Sequence, residues 1–276
     1  MTAVPADGGP VDGGPVDGGP PLAVVTGAAR GIGAATARRL ARDGWSLLLV
    51  DACAAQPGVD YPMPSADDLS AVAKECLAAG AAAATGLVAD VGDGAVRGAI
   101  GDALGGRVPA AAVAAAGVIA GHPAWAVPDD VWDLMLRVNL SGVRYLAEAC
   151  VPAMTGAGAG RFVAVASAAA LRAMPQLAAY SAAKAGVTGY VRALAADLAG
   201  TGVTANAVCP GSTSGPMLAA SADVYGLADQ ETFAGQALLR RLLAPAEVAA
   251  MIAWLCGPEA SALTGAVLPA DAGLTA

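Results

Sequence analysis

Tyr180 and Lys184 stand four positions apart in Tyr180-Ser181-Ala182-Ala183-Lys184, a spacing that places both side chains on one face of a helix. A free tyrosine ionises at about pH 10 and is a poor base at neutrality. An ammonium beside it favours the phenolate. Such a pair can pass a proton to or from an oxygen, as the interconversion of an alcohol and a carbonyl requires. Ser167 lies upstream, at the predicted end of a strand, and its hydroxyl could orient the same oxygen. A Tyr-x3-Lys pair is common in helices, so its weight depends on what else the chain holds.

The chain holds a glycine-rich turn, Thr26-Gly27-Ala28-Ala29-Arg30-Gly31-Ile32-Gly33. Glycines let the backbone turn tightly and approach a pyrophosphate, whose charge is favoured at the N-terminus of the following helix. Gly27, Gly31 and Gly33, with Arg30 and Ile32 between them, are therefore candidate dinucleotide ligands. Asp51 closes the second predicted strand, where a carboxylate can accept bonds from the adenosine ribose hydroxyls. It would repel a 2′-phosphate, which favours NAD over NADP. Arg30 argues the other way, because a basic residue in this turn can meet that phosphate; Asp51 is the more direct determinant. Asp90-Val91, at the end of the third strand, is placed for the adenine edge.

These residues need a scaffold. Apolar runs predict strands over Leu22–Val25, Trp45–Val50, Thr85–Ala89, Val108–Ala115, Arg161–Ala166 and Val203–Val208, with a short last one at Val267-Leu268. Helical stretches fall between them: Ile32–Asp43, Ala66–Ala79, Ala95–Leu104, a long Pro128–Pro152 with Asn139 inside it, Ala178–Ala199 and Pro245–Leu255. Strand and helix alternate, which predicts an α/β fold: a single-domain, Rossmann-type doubly wound parallel sheet over residues 21–276. Residues 1–20 repeat x-Asp-Gly-Gly-Pro and read as a disordered tail rich in Gly and Pro.

From Leu22 to Ala276 the chain resembles the short-chain dehydrogenase/reductase family, on Thr26 to Gly33, Asp90-Val91, Asn139, Ser167, Tyr180-x3-Lys184 and Pro210-Gly211. The resemblance implies a catalytic set of Asn139, Ser167, Tyr180 and Lys184, with Asn139 supporting a water that links Lys184 to solvent. It implies that Gly117 lets the backbone come close to the cofactor, that Pro210, Gly211 and the backbone beyond them border the nicotinamide, and that residues 217–236 lie where the family carries its substrate lid. Two departures stand out. Ala114-Ala115-Ala116-Gly117 replaces the usual Asn-Asn-Ala-Gly, and Gly215 stands where the family often has Thr, leaving Thr213 or Ser214 as a substitute. The stretch Ala52 to Asp67 is an insertion similar to that of the mycofactocin-associated members. They are thought to hold NAD without exchange and to pass electrons to a peptide-derived carrier.

Composition narrows the partners. A net charge of −8 argues against nucleic acid. The apolar share is 56%, but the longest charge-free stretch is broken by Gly, Asn and Pro, and a membrane span needs about 20 continuous apolar residues. No signal peptide is visible, so a cytoplasmic protein is expected. The five cysteines match no metal spacing, and reduced thiols are expected. The reading is an NAD-dependent enzyme acting on a small hydrophobic alcohol or ketone, with a mycofactocin-type carrier as redox partner and a homotetrameric assembly by resemblance. The alternatives are a ketoreductase with exchangeable NADP(H) and a non-catalytic NAD-binding regulator.

Overall fold

The computed structural model describes residues 19–276, so the repeat of residues 1–20 lies almost wholly outside the described residues. In chain order the elements are β1 (Leu22–Thr26), α1 (Gly31–Arg42), β2 (Ser46–Asp51), α2 (Ala66–Ala79), β3 (Ala83–Val88), α3 (Val96–Leu104), β4 (Ala111–Ala114) and α4 (Asp129–Leu136). A π-helical turn (Arg137–Ser141) leads into α5 (Gly142–Ala157). Then come β5 (Gly160–Val165), α6 (Ala178–Asp197), β6 (Val203–Pro210), α7 (Pro216–Val224), α8 (Pro245–Cys256) and β7 (Val267–Ala270).

The seven strands form one parallel sheet in the order β3-β2-β1-β4-β5-β6-β7. Strand order reverses between β1 and β4, and the chain crosses to opposite faces there, so the carboxyl ends of these two strands border a crevice. Every residue of β1, β2, β4 and β5 is buried. Continuous apolar runs are what a sheet covered on both faces demands. One face is covered by α1, α2 and α8, where Ala34, Ala37 and Ala41 meet Val248 and Ile252. The other is covered by α3, α5 and α6, where Leu146, Cys150 and Met154 pack on Phe162 and Val187. Small alanines at these seams let helices approach the sheet closely, which is how a chain with 4% aromatic residues fills its core.

The long helix expected over Pro128–Pro152 is two helices joined by the π-helical turn that carries Asn139. It also runs past Pro152 to Ala157 before Gly158, at φ 72°, ends it. β4 is shorter than expected: Pro109 has no N–H to give the sheet, and pairing begins at Ala111. β3, half-exposed at the edge, starts two residues earlier than its apolar run suggested. Among the described residues no helix is long and apolar enough to cross a membrane.

Candidate active site

One cavity of about 710 Å³ gathers the candidates. Gly27, Arg30, Gly31, Ile32, Gly33, Asp51, Asp90, Val91, Gly117, Pro210, Gly211 and Thr213 line it together with Ser167, Tyr180 and Lys184. It lies at the carboxyl ends of the central strands, across the switch point.

Its nucleotide end is shaped by missing atoms. A Cβ on Gly27 would lie 2.6 Å from the Ala116 Cα, and one on Gly33 would overlap the Gly27 carbonyl. Gly31, at φ 56°, has nothing within 4 Å of its absent Cβ. No side chain caps α1, so its first N–H groups remain for an anion. These features suit a pyrophosphate. The Asp51 carboxylate is fixed beside them, accepting from Ala29 N at 3.0 Å and Cys53 N at 3.2 Å. The Arg30 guanidinium is committed to the insertion: it donates to the Pro62 carbonyl and to Met63 Sδ, and lies 5.4 Å from the centre of the Tyr61 ring. The case for Arg30 as a 2′-phosphate ligand is weakened accordingly.

Asp90 is less free than the sequence implied. Its Oδ2 accepts from Arg137 Nη1 at 3.0 Å and from Gln56 Nε2 at 3.4 Å, while Arg137 Nη2 donates to Gln56 Oε1 at 3.2 Å. Oδ1 accepts from Gly92 N at 2.8 Å. At the far side, Thr213 Oγ1 donates to the Gly211 carbonyl at 3.1 Å, and both Thr213 and Ser214 line the cavity. The segment Ala114-Ala115-Ala116-Gly117 is held from β1. Thr26 Oγ1 accepts from Ala115 N at 3.2 Å and Ala116 N at 3.3 Å.

At the candidate catalytic end, the long polar side chains are buried. Tyr180 and Lys184 are 7% and 3% exposed, and Lys184 Nζ lies 5.8 Å from the centre of the Tyr180 ring. Burial pushes the Tyr180 phenol up to about 12, with the Ser167 hydroxyl pulling the other way. Burial pushes the Lys184 amine down to about 8. Burial is the largest influence on the Tyr180 phenol. Lys184 Nζ donates to the Val165 carbonyl at 2.9 Å. Ser167 is held by Ala169 N, which donates to its Oγ at 3.1 Å at the start of the 3-10 turn Ala168–Ala170.

Asn139 sits behind the cavity wall, fully buried. Its Oδ1 accepts from Val118 N at 3.2 Å, and its Nδ2 donates to the carbonyls of Val118 at 3.0 Å and Met135 at 3.1 Å. The side chain therefore clamps the Val118 peptide, which leaves only the main chain of the π-helical turn for a proton relay. A Cβ on Gly117 would lie 2.8 Å from Asn139 Oδ1 and 3.4 Å from Lys184 Nζ, so glycine is needed where these two meet.

Sequence reasoning missed Gln56, Arg137 and the bridging role of Thr26, and gave Tyr61 no function. The Tyr61-Pro62 pair inside the insertion was the available signal. Val59, Tyr61 and Met63 join Ile119, Tyr180, Met217 and Tyr225 in one apolar cluster, so the insertion and the 217–236 segment share a cluster with Tyr180. Met217, Leu218, Tyr225 and Phe233 of the lid line the cavity, and Tyr225 Oη donates to the Pro175 carbonyl at 2.7 Å. His122 pairs its main chain with Gln176 and is not part of the lining.

A family model described as enoyl-(acyl carrier protein) reductase matches residues 27–275. An uncharacterised oxidoreductase of Mycobacterium tuberculosis is 36% identical over 267 residues, covering 91% of this chain and 95% of that protein. The (-)-trans-carveol dehydrogenase of Rhodococcus erythropolis is 32% identical over 276 residues, covering 92% and 97%. Among solved structures, carveol dehydrogenase from Mycobacterium avium in complex with NAD superposes with a TM-score of 0.87 at 28% identity, covering 97% of this chain and 99% of that one. A short chain dehydrogenase from Mycobacterium paratuberculosis bound to NAD gives 0.83 at 30% identity with the same coverage.

Proposed function

The chain belongs to the short-chain dehydrogenase/reductase family of oxidoreductases, and from that premise we propose that it interconverts a secondary alcohol and a ketone with NAD. One observation carries the reading: Ser167, Tyr180 and Lys184 line the same cavity as the glycine-rich turn and Asp51. Gly31, Gly33 and the uncapped start of α1 would hold the pyrophosphate, and Asp51 the adenosine ribose. The pinned Asp51 and the committed Arg30 favour NAD over NADP, as do the NAD-bound neighbours.

NAD, when bound, supplies the hydride acceptor for alcohol oxidation and, reduced, the hydride donor for the reverse. The protein's own groups handle the oxygen and its proton. Ser167 Oγ and Tyr180 Oη would bind the substrate oxygen. A phenol raised to about 12 is protonated at neutral pH, so Tyr180 rests as the acid that ketone reduction needs. For alcohol oxidation Tyr180 Oη takes the hydroxyl proton, and Lys184, an ammonium for most of the time below about pH 8, stabilises the phenolate. The lid residues Met217, Leu218, Tyr225 and Phe233 would exclude water and select an apolar alcohol, in keeping with the carveol dehydrogenases among the relatives.

The finer proposal concerns electron flow. The insertion bonds to Arg30, to Asp90 and to Ile119, three points around the cavity. Such a cover would slow NAD release, and a mycofactocin-type carrier would then reoxidise the cofactor in place. Mass spectrometry of the purified protein after dialysis, followed by an alcohol panel with an artificial electron acceptor, tests both levels. Retained NAD with turnover supports the whole reading. An empty protein that reduces ketones with added NADPH rejects it. The homotetramer implied by resemblance is open to sedimentation velocity.

A further inference from the structure

The wall of the cavity after β4 is made by Gly117, Val118 and Ile119. Its peptide groups are held from two directions. Asn139 clamps both N–H and C=O of Val118 from behind. The next N–H, that of Ile119, donates to Tyr61 Oη at 3.2 Å. Among the described residues this N–H has no other partner, and Ile119 is 6% exposed. A buried N–H left unpaired is costly, so the Ile119 N–H depends on that one phenolic oxygen.

Tyr61 is itself held in place. The Arg30 guanidinium lies over its ring and grips the next two residues, Pro62 and Met63. The ring joins the apolar cluster that contains Ile119 and Tyr180. The insertion thus reaches past the nucleotide end into the catalytic end. The wall it supports lines the same cavity as Tyr180, and Ile119 and Tyr180 share one apolar cluster.

We propose that Tyr61 is a positioning residue for the alcohol, fixing the Ile119 peptide so that the wall beside Tyr180 selects which secondary alcohol is presented for reaction. This rests on the dehydrogenase reading above, and it concerns the substrate rather than retention of the cofactor. Asn139 and Tyr61 then hold the Val118–Ile119 peptide from its two sides, Asn139 Nδ2 at the carbonyl from the α4–α5 junction and Tyr61 Oη at the N–H from the insertion.

The variant Tyr61→Phe keeps the ring and its stack with Arg30 and removes only the acceptor. The expected result is a KM for secondary alcohols raised about tenfold, with kcat changed by less than about threefold and discrimination between small and bulky alcohols narrowed. The NAD dissociation constant, read by fluorescence titration, should stay within about twofold of the wild type. Amide hydrogen exchange should rise across residues 117–120 and stay unchanged in the strands. An NAD constant that weakens while the alcohol KM holds overturns the proposal, because the segment then serves the cofactor alone. Unchanged exchange at Ile119 overturns it as well. If the wild type oxidises no alcohol of the panel, the dehydrogenase reading fails, and hydrogen exchange alone then judges whether Tyr61 holds the wall.

Discussion

The two ends of the cavity are built by opposite means. At the nucleotide end, under β1 and β2, the working parts are absent side chains and free main-chain N–H groups: Gly27 against Ala116, Gly33 against Gly27, and an uncapped α1. At the catalytic end the working parts are long polar side chains driven into an apolar interior, Lys184 at 3% exposure and Asn139 at 0%. On the proposed function the first end would bind by geometry and lose function when atoms are added. On the same proposal the second would react because desolvation moves proton affinities, and it would lose function when atoms are removed.

The sharpest way to break this contrast is to change one atom at each end. Tyr180→Phe removes only the phenolic oxygen. Turnover should fall by about 10³-fold while the NAD dissociation constant holds, measured by stopped-flow absorbance and fluorescence titration. A variant that keeps wild-type turnover would return the proton to another group. Gly33→Ala adds a methyl group that collides with the Gly27 carbonyl. Overpacking of about 3 kcal/mol corresponds to a loss of roughly 10²-fold. It should appear in NAD affinity, with little change in kcat at saturating cofactor. If kcat collapses instead, the two ends are not separable. Asp51→Ala is milder. It removes a carboxylate held by Ala29 N and Cys53 N, and the preference for NAD over NADP should drop by about tenfold, read as the ratio of the two kcat/KM values.

Backbone sites were easier to read from the sequence than buried side-chain networks. The glycine spacing at Gly27, Gly31 and Gly33 writes its geometry directly, since few other residues allow the turn, and the alternation of apolar runs gave the parallel sheet. Asp51 followed because its place at a strand end fixes its surroundings. Asn139 was identified as a residue but not in its task, because nothing local says that its amide meets Val118 across the β4–α4 connection. Gln56 and Arg137 were invisible for the same reason: their link to Asp90 joins three segments far apart in the chain. The π-helical turn that splits the long helix leaves the apolar periodicity on either side nearly intact. The raised Tyr180 pKa is also beyond a sequence argument, because charge spacing was legible and burial was not.

Lys184 gives a small effect on stability but the most specific one, because here function and stability point in opposite directions. Its amine is lowered from 10.5 to about 8 by burial. Below about pH 8 both folded and unfolded chains carry the proton, and the fold bears the full cost of a buried charge. Between about pH 8 and 10.5 the unfolded chain binds more protons than the folded one, so this group makes wild-type stability rise with pH. The shift corresponds to about 3 kcal/mol. Lys184→Met removes that cost but also the bond from Nζ to the Val165 carbonyl, which offsets about 2 kcal/mol of the gain. The variant should therefore be more stable than the wild type at pH 7 by about 1 kcal/mol and nearly inactive. Its advantage should shrink as pH rises toward 9.5, short of the range where Tyr180 begins to lower stability by holding a proton that the unfolded chain releases. Urea denaturation at several pH values measures this. A variant less stable than the wild type at pH 7 would mean that the Val165 bond outweighs desolvation, and that the catalytic end is held together by the group it needs for chemistry.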